Sequence, residues 1–276
     1  MTLHVHPFLK WPGGKFRLID KILPRLPHSP LWVEPFVGAG SVFLNVESEH
    51  AILNDINQDL IHLYQTLQRE GKTFIDYAEQ FFVAKNNQAD RYYELRAQFN
   101  QSAASWLRSA LFLYLNRHGY NGLCRYNRKG EFNVPFGLYK HPTFPREALQ
   151  VFHQKAQRAV FTCQDYRSVL QTLEQDAVVY CDPPYVPITQ SASFTQYSGH
   201  TFTWQDQQAL AEGARALAQK GIPVLISNHD LKAVRTLYQG ARIHSFLVAR
   251  TISCKTSVRR SVRELLALFA PPVSIY

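Results

Sequence analysis

Short apolar runs, each stopping at a glycine turn or an acidic residue, constrain this 276-residue chain more than any other feature. Leu31 to Phe36 ends in Gly38-Ala39-Gly40, Ala51 to Leu53 ends in Asn54-Asp55-Ile56-Asn57, and Ala177 to Cys181 ends in Asp182-Pro183-Pro184-Tyr185. Runs this short and largely apolar read as strands. Helical patterns between them imply a parallel sheet covered by helices.

The rest of the chain extends the alternation. Ser41 to Glu47 has helical character after the glycine turn, and Val160 to Thr162 reads as a further strand. Thr203-Trp204-Gln205-Asp206 is a capping box opening a helix through Gln219, which Gly221 stops. A strand at Pro223 to Ser227, a helix from about Leu231 to Tyr238, and strands near Ile243 to Val248 and Arg263 to Phe269 follow. Between 58 and 117 the pattern is helical only, with Leu60, Ile61, Tyr64 and Leu67, then Trp106, Leu107, Ala110, Leu111, Tyr114 and Leu115, at helix spacing. This insertion runs into a polar, aromatic stretch from His118 to Gly137, where Arg128-Lys129-Gly130 between Cys124-Arg125-Tyr126 and Phe132-Asn133-Val134 reads as a hairpin. The outer segments together form one doubly wound α/β sheet.

Thirty Lys and Arg against twenty-one Asp and Glu leave a net charge of +9, which points to a polyanionic partner. No apolar run approaches the ~18 residues of a membrane span, and the first residues lack a signal-peptide core, so an intracellular protein is expected. Cys124, Cys163, Cys181 and Cys254 form no CxxC pair and read as reduced, mostly buried thiols rather than a zinc site.

Ligands of such sheets sit at the carboxyl ends of the strands. Gly38 and Gly40 let a ligand approach the backbone, and Asp55, ending the next strand, is placed for ribose hydroxyls. Asp165 follows Val160 to Thr162 in the same way. The missing third glycine of a GxGxxG fingerprint counts against a nicotinamide cofactor. In Asp182-Pro183-Pro184-Tyr185 the prolines withhold backbone donors, so the cluster presents acceptors suited to a substrate amino group, beside a tyrosine on which a base can stack.

Phe8 to Lys15, Glu34 to Ser41, the hairpin stretch and Asp182-Pro183-Pro184-Tyr185, in this order, resemble the Dam family of DNA adenine-N6 methyltransferases, alpha-ordered amino-methyltransferases acting on GATC. The resemblance spans Phe8 to about Phe269. It implies a Rossmann-like S-adenosylmethionine-dependent methyltransferase sheet over 1–57 and 145–276, with an inserted, mainly helical DNA-recognition domain at 58–144 whose hairpin covers about 118–139. Trp11 and Lys15 would hold S-adenosyl-L-methionine, Lys15 near its carboxylate. Glu34 and the Gly38 and Gly40 turn would shape the methionine side, Phe36 would lie beside the cofactor, Asp55 would bind the ribose, and Asp165 and Tyr166 would flank the cofactor adenine. Asp182, Pro183 and Tyr185 would hold the target adenine, with Asp182 also bordering the cofactor. In the recognition surface, Tyr120 and Asn121 would insert near the orphan partner of a flipped adenine, Leu123 would meet thymine methyls, Arg125 would read a guanine, and Lys10 would contact the outer guanine. Pro135 and Tyr139 would complete it. The resemblance also implies double-stranded DNA as partner, a chain monomeric in solution with more than one copy able to share a DNA, no metal, and a cytoplasmic, nucleoid-associated protein of bacterial or phage origin.

The N6 lone pair of adenine is delocalised and weakly nucleophilic. Hydrogen bonds from the amino group to the Asp182 carboxylate and Pro183 carbonyl favour a pyramidal nitrogen and a direct, in-line displacement. An adenine within a duplex reaches such a site only when flipped out. A methyltransferase of another nucleic-acid sequence, of RNA or of a protein amide, a nicotinamide-dependent oxidoreductase and a non-catalytic DNA-binding regulator are the competing readings; the hairpin and the Asp182 cluster favour the first assignment. Cys254 to Ser261 departs from the family's Asn- and Gly-rich loop, so no phosphate contact carries over to Lys255 or Arg259. Residues 1–25, 57–144 and 232–264 carry +4, +4 and +7, whereas 26–56 and 145–231, which supply Glu34, Asp55, Asp165 and Asp182, carry −4 and −2. That distribution fits a basic DNA-facing rim around an acidic pocket.

Overall fold

The structure, a computed structural model, describes residues 4–174, 176–186, 202–249 and 261–271. Cys254, Lys255 and Arg259 lie outside the described residues. Seven strands, β1 (Leu31–Glu34), β2 (His50–Asn54), β3 (Ala159–Thr162), β4 (Ala177–Cys181), β5 (Val224–His229), β6 (Arg242–Ala249) and β7 (Ser261–Phe269), form one sheet in the order β3-β2-β1-β4-β5-β7-β6. The first five are parallel where they pair; β7 runs antiparallel between β5 and β6. The chain moves outward from β1 in one direction and from β4 in the other, so the switch point lies between these neighbours. Their carboxyl ends carry the glycine turn and the Asp182 cluster.

Side chains alternate across the sheet, and each face has its own core. Trp32, Leu53, Phe161, Tyr180 and Leu225 pack on one face with the short α1 (Ile19–Ile22), α2 (Gln58–Glu79), α4 (Trp106–His118) and α5 (Arg146–Ala156). Val33, Val179 and Ile226 pack on the other with α6 (Tyr166–Gln171), α7 (Trp204–Gln219) and α8 (Lys232–Leu237). Thr203 and Asp206 form the expected capping box of α7, and Gly221 takes a left-handed φ of 93° beyond its end.

Asn57 caps α2 by accepting from the Leu60 amide, and the helix breaks at Gly71, whose φ is 50°. A Cβ there would stand 2.7 Å from His153 Nε2 of α5, so the break lets α5 pack closely. The insertion contributes α2, α3 (Ala89–Gln101) and α4, with no named strand among its described residues from 58 to 117. Two differences from the sequence reading stand out. The helix expected over Ser41 to Glu47 is one 3-10 turn, Phe43–Asn45, because Asn45 ties its side chain to Ser41 O and to both backbone groups of Val5, and Val46 is already extended toward β2. Helix α5 adds an element to the expected alternation, with Leu149, Phe152 and Ala156, its buried residues, at helical spacing.

Candidate active site

Glu34 ends β1 deep in the fold, 2% exposed, and accepts from Trp32 Nε1 at 2.8 Å. Burial, reinforced by the nearby Asp182 charge, pushes its carboxyl up to about 8 despite the Trp32 bond. The next residues turn sharply: Gly38 and Gly40 have φ of 47° and 68°. A Cβ at Gly38 would stand 2.9 Å from Trp11 Nε1, so the turn is pressed against that indole. From β2, Asp55 accepts from Gly38 N at 3.1 Å and Asn57 N at 2.9 Å, and burial raises its carboxyl. Asp55 therefore fixes the turn as well as lining it. Ser41 Oγ, directly after the turn, is buried with no hydrogen-bond partner among the described residues.

The second side of the site comes from β4 and β5. Asp182 Oδ1 receives two donors, Lys15 Nζ at 3.0 Å and Ser227 Oγ at 2.7 Å. Lys15 is almost buried, also reaches Gly13 O, and lies 4.6 Å from the centroid of the Tyr185 ring. The Tyr185 hydroxyl donates to Glu264 Oε2 at 3.2 Å, and His229 meets its ring edge-on at 4.8 Å. Gln207 of α7 donates to Pro184 O at 2.8 Å. Among the described residues no donor reaches Asp182 Oδ2 or the Pro183 carbonyl, so both remain available as acceptors.

An aromatic wall completes this edge. Phe36 lies 5.1 Å from Tyr166 and 5.7 Å from Phe202, and the Tyr166 hydroxyl donates to Asp206 O at 2.8 Å. Asp165 caps α6 through the Arg167 amide at 2.8 Å and pairs with the Arg167 guanidinium at 3.1 Å, while remaining half-exposed.

The structure brings Lys10 to the hairpin. Asn116 bonds both backbone groups of Lys10, at 2.9 and 2.7 Å, and the Lys10 ammonium reaches Arg117 O at 3.2 Å and sits 3.6 Å from the Tyr139 ring centroid. Burial and the Arg117 charge lower its pKa to about 8. Isolated bridges Tyr126–Phe132 and Gly119–Phe136 define the hairpin, with Asn127 closing its turn. Tyr120, Asn121, Arg125 and Pro135 are exposed, while Leu123 and Tyr139 are half-buried. Arg125 folds across the hairpin onto Asn133 Oδ1 at 2.8 Å.

The hairpin is anchored to the first turn of α2 by groups that no local sequence pattern marks. Tyr126 OH donates to Asp59 Oδ2 at 2.6 Å, Arg108 clamps both oxygens of Asp59, and Asn57 donates to Cys124 Sγ at 3.2 Å. Ser227, Phe202, His229, Glu264 and Ser41 were likewise not singled out. Ser227-Asn228-His229-Asp230 ends β5 as the other polar clusters end their strands, a signal that was available. Glu264 reaches the site only because it faces His229 across the β5–β7 pairing, a register no local pattern reveals.

The model of D12 class N6 adenine-specific DNA methyltransferases matches residues 11–252. The chain belongs to this family. It is 51% identical to a DNA adenine methylase of Vibrio cholerae serotype O1 over 268 residues, 97% of each chain. It is 50% identical to the DNA adenine methylase of Escherichia coli K12 over 96% of each, and 49% identical to that of Salmonella typhi over 97% of this chain and 96% of that one. An rRNA methyltransferase of Streptomyces viridochromogenes, with a TM-score of 0.35 and 14% identity over 95% of this chain and 87% of that one, is too distant to add to this. The chain is thus an adenine-specific DNA methyltransferase of mixed α/β fold. Among the described residues no helix is long and apolar enough to cross a membrane, and no cluster of three or more His, Cys, Asp or Glu could hold a metal ion. Of the cysteines, Cys124 and Cys181 are buried free thiols and Cys163 is exposed.

Proposed function

We propose that this enzyme transfers the methyl group of S-adenosyl-L-methionine to N6 of an adenine flipped out of duplex GATC. The observation that carries the reading is the pair of open acceptors, Asp182 Oδ2 and Pro183 O, at the switch point of the sheet. An exocyclic amino group offers two hydrogens and matches such a pair.

The adjoining residues fit the cofactor. Glu34, Asp55 and Asp182 supply acidic groups for a ligand bearing sulfonium and ammonium charges, and the orphaned Ser41 hydroxyl offers a hydrogen bond. Phe36, Tyr166 and Phe202 form a wall for an adenine ring. Bound there, the cofactor supplies a methyl group already activated by a positively charged sulfur. Lys15 compensates the Asp182 charge, and Asp165 serves the site through α6, which it caps. Trp11 backs the glycine turn.

Asp182 and Pro183 would hold the amino group so that its lone pair points at that methyl, with the target ring stacked on Tyr185. Residues 58–144 act as the recognition unit and 1–57 with 145–276 as the catalytic one. Tyr120 and Asn121 fill the gap left by the base, Leu123 and Pro135 meet base edges, and Arg125 exchanges Asn133 for guanine O6 and N7, a pairing worth ~1–3 kcal/mol of discrimination. Lys10, held over Tyr139, reaches the outer guanine.

The test is transfer of labelled methyl to duplexes differing only at GATC. Label confined to the GATC duplex is expected, with Arg125→Ala relaxing the preference at one guanine. Equal label on both duplexes with the wild type would overturn the assigned sequence.

A further inference from the structure

We infer that Ser227, backed by Tyr180, is a positioning residue for methyl transfer: it commits Oδ1 of Asp182 and so leaves Oδ2 as the oxygen that takes the target amino group. This rests on the proposed reading of Asp182 and adds how its carboxylate is aimed.

The hydrogen-bond direction follows from counting protons. The Tyr180 hydroxyl is buried and lies 3.2 Å from Ser227 Oγ, the acceptor it has among the described residues. Ser227 carries a single hydroxyl proton and, receiving from Tyr180, must donate its own. Asp182 Oδ1 stands at 2.7 Å against 3.3 Å for Cys181 O, and the shorter, charge-assisted bond takes it. The relay therefore runs Tyr180 to Ser227 to Asp182, and Lys15 Nζ adds a second donor to the same oxygen at 3.0 Å.

An aspartate χ2 is otherwise broad, so a carboxylate without these partners would offer either oxygen over a range of angles. Two donors on one oxygen hold the plane and present the other. Neither Ser227 nor Tyr180 is required to touch the substrate. Both act through Asp182, and the relay behind it gives the buried Tyr180 hydroxyl of the otherwise apolar β4 its partner.

The experiment compares Ser227→Ala and Tyr180→Phe with the wild type. Single-turnover methyl transfer to a GATC duplex is expected to fall at least about tenfold for Ser227→Ala and roughly two- to fivefold for Tyr180→Phe, with cofactor affinity unchanged. A duplex carrying 2-aminopurine at the target position, which lacks the 6-amino group, reports base capture by fluorescence. Capture by both variants should equal that of the wild type, since the aimed oxygen has nothing to hold there. Parallel loss of transfer and of 2-aminopurine capture would mean a scaffolding role and overturn the inference. So would a wild-type transfer rate in Tyr180→Phe, which preserves volume and decides the matter if Ser227→Ala does not fold. A wild-type enzyme that transfers no methyl to any DNA would instead sink the reading of Asp182 itself.

Discussion

Replacing Glu34 by glutamine is expected to stabilise the ligand-free protein at neutral pH while weakening its response to cofactor. The Glu34 carboxyl is 2% exposed, and burial, aided by Asp182, raises it from the usual 4.5 to about 8. Between those values the unfolded chain has released a proton that the folded one retains. Stability from this group therefore falls as pH rises from about 4.5 and levels off above about 8. Each unit is worth about 1.4 kcal/mol, so by pH 7 the cost is roughly 3 kcal/mol. Glutamine has no such proton and can still accept from Trp32 Nε1. Urea unfolding should show the variant more stable than wild type by about that amount at pH 7, with the gap closing toward pH 4.5. A cationic ligand beside Glu34 relieves the same cost, so cofactor binding to the wild type near pH 7 should release close to one proton, seen by calorimetry in buffers of different ionisation enthalpy. The variant should release none from this position. A stability difference independent of pH, or identical proton release in both proteins, would refute the reasoning.

Three further outcomes are expected. Gly38→Ala forces a side chain into φ 47° and against the Trp11 indole, so thermal unfolding should show a loss of about 1–3 kcal/mol and cofactor affinity should drop; unchanged cofactor binding would place the ligand away from this turn. Tyr126→Phe removes the hydroxyl on Asp59, so the ratio of kcat/KM for GATC over a one-base variant should fall several-fold while cofactor affinity holds; lost cofactor binding with intact discrimination would reverse the assignment of this anchor. Lys10, whose pKa is lowered to about 8, carries its charge below that pH and loses it above. DNA affinity measured by anisotropy should therefore weaken from pH 7 to 9 in the wild type but not in Lys10→Arg.

Much of this was legible because the informative residues stand where apolar runs stop. Glu34 ends a short strand, Gly38, Asp55 and Asp182 each follow one, and the sheet brings those ends together at its switch point. Local patterns also gave α7 through its capping box. What stayed hidden depends on partners distant in sequence. Glu264 enters through the antiparallel register with β5, Tyr126 and Asp59 meet across the insertion, and Phe202 joins Phe36 and Tyr166 only in the fold. The pairing of Lys15 with Asp182 belongs to the same class: a lysine in a glycine-rich segment gives no sign that its ammonium will be buried against a carboxylate 167 positions later. The apolar pattern of Ser41 to Glu47 does not become a helix because Asn45 binds Val5 instead of extending one.

The most direct test is the nucleoside product formed by wild type and by Asp182→Asn under single-turnover conditions with a GATC duplex. The wild type should yield N6-methyl-2′-deoxyadenosine, and the variant, keeping size but losing the acceptor charge, should be slower by roughly a hundredfold or more at saturating cofactor. An Asp182→Asn enzyme as fast as wild type, or a methylated base other than adenine, would contradict the account.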